Sequence, residues 1–253
     1  WVGAALGLAM LAKSNSLFII PAIGIAIILG CGVRNWRQWI PKGVVTAAVG
    51  GMLVLPWYVW FYRTYGNLDA FEQIRTLQSP WNKPGGTFTE LLFNRMFVWN
   101  RWKETWGEFG WRRIHLDSGF LWAIAFPVIA GLVGLLLFAV LAILFRSREK
   151  KNGPLGFEKP DRSQSIGIVV LLVAVVTAYL AVIQFGTQFA LTQARYLFPV
   201  VNAFAILILV GVRTFIPRPV RPLGSGLIVF GLVFMNLIIY TRYVIPYWHI
   251  QMS

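Results

Sequence analysis

The chain has 253 residues, of which 57% are hydrophobic, 15% aromatic and 13% charged. The charged fraction is about half of the roughly 25% typical of soluble domains, so the composition excludes an ordinary soluble domain and predicts a membrane protein. The net charge of +14 does not by itself indicate nucleic-acid binding, because basic residues next to membrane helices attract anionic lipid headgroups.

The apolar segments, taken in chain order, predict an all-α polytopic transmembrane bundle with six full spans and a partial N-terminal helix. An α-helix needs about 20 mostly apolar residues to cross the hydrocarbon core of a bilayer. Uncharged runs near this length occupy 17–33, 43–62, 118–145, 163–194, 196–212 and 223–241. Segment 1–12 would make about 18 Å of helix, which is too short to span. We therefore expect a fragment or split gene product that begins inside a helix.

The placement of basic residues predicts the orientation of the helices. Twelve Lys and Arg residues lie in the connections 34–42, 146–162 and 213–221, whereas the other short connections hold Lys13, Arg195 and Arg242. The richer set is cytoplasmic under the positive-inside rule. We therefore expect a multi-pass protein of the cell membrane with an extracytoplasmic loop, divided into helices at 1–62, the loop at 63–117 and further helices at 118–253.

The long outer segment contains an amphipathic pattern from residue 87 to residue 106, which predicts one interfacial helix. Its apolar side chains share one side of a helical wheel: Phe88, Leu91, Leu92, Met96, Val98, Trp99, Trp102 and Trp106. The polar side chains expected to face water are Glu90, Asn94, Asn100, Arg101 and Glu104. Arg95 and Lys103 intrude on the apolar side, where their long stems can reach phosphates of lipid or of a substrate.

All nine acidic residues lie in the outer segment or in one cytoplasmic connection, outside every predicted span. This disfavours a cation-coupled transporter, because such proteins usually keep a carboxylate near the middle of the membrane. The single cysteine, Cys31, and two distant histidines, His115 and His249, predict no metal site. Whether a divalent metal assists the protein stays open.

The remaining candidates for chemistry are cations at the outer ends of helices: Lys13, Arg112, Arg113 and Arg195. Such a set suits a membrane-embedded anion, and the phosphate of a polyprenyl lipid lies at this depth. A guanidinium can bind that phosphate through two charge-assisted hydrogen bonds. The alternative is that Arg195 and its neighbour Tyr196 form an interfacial anchor, which is common in membrane proteins.

Several segments resemble the GT-C superfamily of membrane glycosyltransferases, which includes protein O-mannosyltransferases and aminoarabinose transferases. "LGLAMLAKSNSLFIIP" is similar to a helix pair of that superfamily, and "LPWYVWFYRTYGN" to the helix that enters its large outer loop. "WGEFGW" and "QARYLFPVVNAFAILILVG" resemble patterns in a poorly characterised branch of it.

The resemblance implies transfer of a sugar from a polyprenyl-phosphate donor to an acceptor on the outer face, without a separate cofactor. It places Lys13 at the donor phosphate. We expect Arg195 to approach the same phosphate from the other side, and we expect Tyr196, Arg112 and Arg113 to be further substrate contacts. The catalytic Asp of the superfamily would precede Trp1, so the catalytic residue is unknown. Weak substitutes are Asp69, Glu72, Glu104 and Glu108.

Two alternatives to an enzyme stay open at this point. One is a non-catalytic membrane subunit that binds lipid or packs against a larger complex, whereas the enzyme interpretation expects membrane lipid, lipid-linked sugar and a missing N-terminal half as partners. The other is a transporter of lipid-linked sugars, which would need a polar route through the bilayer.

Overall fold

The computed structural model describes residues 1–12, 14–68, 84–109, 113–144, 160–190 and 194–252. The α-helices of these residues are α1 Val2–Ala12, α2 Ile20–Cys31, α3 Trp36–Tyr65, α4 Phe88–Phe93, α5 Arg95–Trp106, α6 Ser118–Leu144, α7 Arg162–Gln188, α8 Val201–Phe215, α9 Arg221–Ile239 and α10 Ile245–Met252. Short 3₁₀ helices occupy Ser14–Ile19, Ala194–Val200 and Arg218–Val220, and a π-helix occupies Tyr240–Val244. Two short antiparallel strands, β1 Glu108–Phe109 and β2 Ile114–His115, pair Glu108 with His115.

The protein is an all-α helical membrane bundle, as its composition predicts. Across the described ranges, five helical stretches are long and apolar enough to cross a membrane: Trp36–Tyr65, Ser118–Leu144, Arg162–Gln188, Ala194–Phe215 and Arg221–His249. The segment predicted as a further span, 17–33, contains the apolar helical stretch Ser16–Cys31, which is shorter than 18 residues. Large apolar side chains on the spans, such as Phe126 and Leu136, are exposed, as expected when lipid is the solvent.

The chain forms two compact units, each made of two chain segments. Unit 1 contains Trp1–Asn94 and Arg162–Val201, and unit 2 contains Arg95–Asp161 and Asn202–Ser253. The division of the chain at residues 62 and 117, made from sequence, stays a prediction.

Contacts near the two ends of α7 show which segments of unit 1 lie at each end of this helix. At its first residue, the Arg162 guanidinium donates a hydrogen bond to the Leu29 carbonyl oxygen (3.3 Å), near the end of α2. Because α2 also packs along α7, the two helices are antiparallel, and the 3₁₀ helix Ser14–Ile19 contacts α7 farther along its length. Near the last turn of α7, the Gly85 amide donates to the Gly186 carbonyl oxygen (3.0 Å). The residues around Gly85 therefore lie at the end of α7 opposite Arg162.

Small residues let α1 and α3 approach closely in unit 1. A Cβ atom added to Gly7 would lie 2.9 Å from the Gly50 carbonyl oxygen, and one added to Gly50 would lie 3.1 Å from the Gly3 carbonyl oxygen. Close approach of this kind is how helices gain van der Waals contact in a membrane, where lipid tails remove the hydrophobic drive for association.

Unit 2 contains a similar contact and a small aromatic core. Gly131 and Gly134 of α6 face Gly211 of α8 very closely. A Cβ atom on Gly134 would overlap the Gly211 carbonyl oxygen, and one on Gly211 would overlap the Gly131 carbonyl oxygen. The core cluster consists of Leu116, Ile124 and Ile239, with Trp102, Trp106, Phe120, Met235 and Tyr243 packed against it. Tryptophans of α5 thus contact residues of the spanning helices.

The prediction of one continuous helix from 87 to 106 is wrong, because the structure has two helices separated at Asn94. Thr87 begins α4 with a capping box: its hydroxyl accepts the Glu90 amide (3.3 Å), and the Glu90 carboxylate accepts the Thr87 amide (2.8 Å). Asn94 has extended backbone angles, φ −76° and ψ 108°, which end α4. The helical wheel drawn through residue 94 therefore does not hold for α5.

Replacing Gly50 with Ile should lower the free energy of unfolding by about 1–3 kcal/mol, because overpacking a tight contact displaces its neighbours. The matched control is Gly51→Ile, since a Cβ atom at Gly51 meets nothing within 4 Å. The free energy of unfolding of both variants is measured by titration with sodium dodecyl sulfate in mixed micelles. Equal destabilisation at the two neighbouring positions would contradict the close α1–α3 contact.

Candidate functional site

The substrate-contact residues predicted from sequence fall in different parts of the chain. Lys13 and Arg112 lie outside the described residues. Arg113 is exposed directly before β2, in unit 2. Arg195 and Tyr196 begin the 3₁₀ helix Ala194–Val200 in unit 1, where the chain enters the spanning stretch Ala194–Phe215. Arg195 and Tyr196 thus belong to unit 1, and Arg113 belongs to unit 2.

Arg195 is an exposed cation held on an aromatic support. Its guanidinium carbon lies 5.9 Å from the centre of the Tyr196 ring, and the Tyr196 ring lies 4.7 Å from the Phe185 ring of α7. Ala194 is fully buried and Val200 nearly so, which fixes both ends of the short 3₁₀ helix. This geometry suits an anion contact at the membrane boundary, and it also suits the interfacial anchor that the sequence left open.

Other segments of the predicted outer side lie at the same end of unit 1. The 3₁₀ helices Ser14–Ile19 and Ala194–Val200 both pack against α7, and the contacts of α7 place both away from its Arg162 end. Segment 84–93 joins them through the bond from Gly85 to Gly186. The chain directly after residue 13 and the side chain of Arg195 therefore lie toward one end of the same helix. The convergence of Lys13 itself on a shared phosphate stays a prediction.

Glu90 adds a carboxylate to segment 84–93, and its local contacts favour the charged form. Its hydrogen bonds to the backbone amide and then to the side chain of Thr87 hold the pKa of the Glu90 carboxyl below its usual value of 4.5. A carboxylate in the first turn also complements the partial positive charge of the helix N-terminus. Glu90 thus serves α4 as a capping residue.

Arg101 and Glu104 form a buried ion pair in unit 2, contrary to their predicted exposure to water. The Arg101 Nη2 atom lies 2.8 Å from Glu104 Oε1, and the two side chains are 7% and 6% exposed. The Arg101 guanidinium carbon also lies 5.0 Å from the Phe97 ring centre. The prediction was wrong because it assigned the polar side of the helix to water, whereas the structure turns these two side chains toward the protein.

Glu108 is the centre of a second polar contact that sequence reasoning missed. Its Oε1 atom lies 3.5 Å from Lys103 Nζ and 3.7 Å from His115 Nδ1. His115 reaches Glu108 because the two residues are partners in the β1–β2 pairing. The residues between them, "FGWRRI", carry a glycine but no strong hairpin pattern, so the sequence offered little signal for this pairing.

Asp117 and Tyr243 are also brought together from distant parts of the sequence. The Tyr243 hydroxyl donates a hydrogen bond to Asp117 Oδ2 (2.5 Å), and the Tyr243 ring packs edge-on against Phe120. Tyr243 lies in the π-helix of the last spanning stretch, whereas Asp117 directly precedes α6. This bond joins the residue before α6 to the last spanning stretch.

Two of the four carboxylates named from sequence as substitutes for the catalytic Asp contact basic side chains in the structure. Glu104 is engaged with Arg101, and Glu108 lies between Lys103 and His115. Asp69 and Glu72 lie outside the described residues. Within the ranges that the structure covers, no group of three or more His, Cys, Asp or Glu side chains is arranged to hold a metal ion.

No protein-family model matches the sequence, and no match was found to a curated protein or to a solved structure. The resemblance to GT-C glycosyltransferases therefore rests on the short motifs quoted above, and the function drawn from it is a proposal.

Lowering the pH should weaken the start of α4 through Glu90. Since the folded-state pKa of Glu90 is lowered, its contribution to stability is full above the unfolded pKa and is lost as the pH falls through the folded pKa. A pH titration of the Glu90 carboxyl carbon by NMR should give a pKa below 4.5, and Thr87→Ala should raise it. A titration that Thr87→Ala leaves unchanged would contradict the role of the Thr87 side chain.

Replacing either member of the Arg101–Glu104 pair with Leu should lower the free energy of unfolding by about 3–5 kcal/mol, because the other charge stays buried. The double variant Arg101→Leu with Glu104→Leu should lose much less, since neither charge remains. Arg113→Leu, at an exposed residue of the same unit, is the control. The free energy of unfolding of all four variants is measured in mixed micelles. If the single variants were as stable as the control, Arg101 and Glu104 would not form a buried ion pair.

Proposed function

We propose that this chain is part of a GT-C-like membrane glycosyltransferase. In this proposal, the whole enzyme transfers a sugar from a polyprenyl-phosphate donor to an acceptor on the outer face of the cell membrane. The chain binds the donor lipid at the Arg195 end of unit 1. Arg195 contacts the donor phosphate, Tyr196 supports the guanidinium, and Lys13 is the second cation expected there.

The observation that carries this proposal is the position of Arg195, an exposed residue at the entry to a spanning stretch, with its guanidinium over the Tyr196 ring, which in turn packs on Phe185. Lipid phosphates lie at the boundary where spanning helices end. A guanidinium matches the geometry of phosphate oxygens and is always charged. Its positive charge would also offset negative charge that develops on the phosphate as the sugar departs.

The predicted orientation agrees with this use of Arg195. Arg162, Arg34 between α2 and α3, and Arg37 in the first turn of α3 lie at the other end of unit 1, near the end of α2. If this basic end faces the cytoplasm under the positive-inside rule, Arg195 and segment 84–93 face the outside. A donor that is used on the outer face would then meet Arg195.

The acids of the described chain favour donor binding over catalysis as the task of this chain. A catalytic base must accept a proton from the acceptor hydroxyl, and it must be accessible to that hydroxyl. Glu104 is buried in its pair with Arg101, which removes it from the candidates. The same observation supports a second candidate, a non-catalytic membrane subunit that binds the lipid without transferring the sugar.

Arg195→Ala should weaken binding of polyprenyl phosphate by about tenfold to a hundredfold, because hydrogen bonds to charged groups contribute roughly 1.5–3 kcal/mol. Arg195→Lys should bind with intermediate affinity, since it keeps the charge but not the two-pronged contact. Binding is measured by native mass spectrometry of the protein released from nanodiscs.

The matched control is Arg37→Ala. Arg37 is also exposed and lies over a neighbouring aromatic ring, 5.5 Å from Trp36, but it lies at the opposite end of unit 1. Equal loss in Arg37→Ala and Arg195→Ala would show binding by general positive charge and would contradict a site at Arg195. Unchanged binding in Arg195→Ala would also contradict it.

A further inference from the structure

Helix α5 presents an apolar surface to the outside of unit 2. Met96, Val98 and Trp99 are exposed, with 64% of Met96 accessible. The Trp99 ring lies 6.4 Å from the ring of Trp122 in α6. Trp122 and Phe126 are exposed on the same helix, α6, which is one of the spanning stretches. The apolar surface of α5 therefore continues onto the lipid-facing surface of a spanning helix.

The later residues of α5 are turned toward the protein. Arg101 and Glu104 are buried there as an ion pair, and Trp102 and Trp106 pack against the core cluster. Helix α5 thus buries a charged pair, while Met96, Val98 and Trp99 near its start stay exposed. This arrangement is favourable where the medium around those apolar residues is itself apolar.

The partners of α5 place it beside the spanning helices, within the length of those helices. Trp102 and Trp106 pack against the cluster that contains Ile124, and Ile124 lies six residues after the start of α6, about 9 Å along the helix. The Trp106 ring also lies 6.4 Å from Phe204, which lies inside the stretch Ala194–Phe215. The same cluster contains Ile239, inside the stretch Arg221–His249.

We propose that α5 is embedded at the edge of one leaflet, with bilayer acyl chains covering the surface formed by Met96, Val98, Trp99 and Trp122. The continuity of this surface with the exposed side of α6 identifies lipid as its occupant. The buried Arg101–Glu104 pair accounts for how a helix with both charges tolerates that position. Arg95, exposed at the first residue of α5, is long enough to reach the headgroups. This placement does not depend on the proposed sugar chemistry.

Spin labels on single cysteines test the proposal in proteoliposomes of phosphatidylcholine and phosphatidylglycerol. The background is Cys31→Ser, which removes the single cysteine of the chain. Met96→Cys is the test position, and Val98→Cys is a second test position should the first variant fold poorly. Phe126→Cys is the lipid reference, and Arg34→Cys, exposed in the connection between α2 and α3, is the water reference.

Power-saturation EPR then compares collisions of each label with oxygen, which concentrates in lipid, and with a water-soluble nickel chelate. The proposal predicts that labels at Met96 and Val98 collide with oxygen severalfold more than with the chelate, as at Phe126. A collision ratio like that of Arg34 would show that water covers this surface and would overturn the proposal. Shielding from both reagents would show that protein covers it, and would overturn the proposal equally.

Discussion

The hydrocarbon core of a bilayer supplies no hydrogen-bond partners, and this constraint determines where polar groups can lie in the protein. The spanning stretches are helical because a helix satisfies its own backbone. Threonines within them return their hydroxyls to the helix, as Thr177 does to the Val173 carbonyl oxygen (2.8 Å) and Thr214 does to Val210 (3.1 Å). Charged side chains are left at the ends, where Arg162 bonds to Leu29 and Arg195 lies over Tyr196.

The same constraint gives α5 its orientation. Its charged pair lies inside unit 2, whereas Met96, Val98 and Trp99 near its start are exposed. Such an arrangement is stable only if both charges stay paired, because a single buried charge is costly. Helix α5 also has a fixed place beside the spanning helices, where Trp102 and Trp106 contact the core cluster.

The spanning helices could be predicted from sequence because an uncharged run of about 20 residues is a strong local signal. The burial of Arg101 and Glu104 could not be predicted in this way, because a helical wheel separates polar from apolar residues without showing which of them meet the solvent. The break at Asn94 was missed for a related reason, since the apolar pattern continues across it. The pairs Glu108–His115 and Asp117–Tyr243 depend on chain geometry that no local pattern records. Arg195 and Tyr196 were found at a helix entry as expected, while their contact with a donor lipid stays a prediction.

The most direct test of the account is photo-cross-linking with a polyprenyl phosphate that carries a reactive group beside its phosphate, followed by peptide mapping. We predict labelling concentrated in unit 1 near Arg195, on residues 184–196 and 84–93, and competed away by unlabelled polyprenyl phosphate. Labelling concentrated at the basic residues 34–42 around the start of α3, or spread over the exposed helices and insensitive to competition, would contradict a donor-lipid site at Arg195.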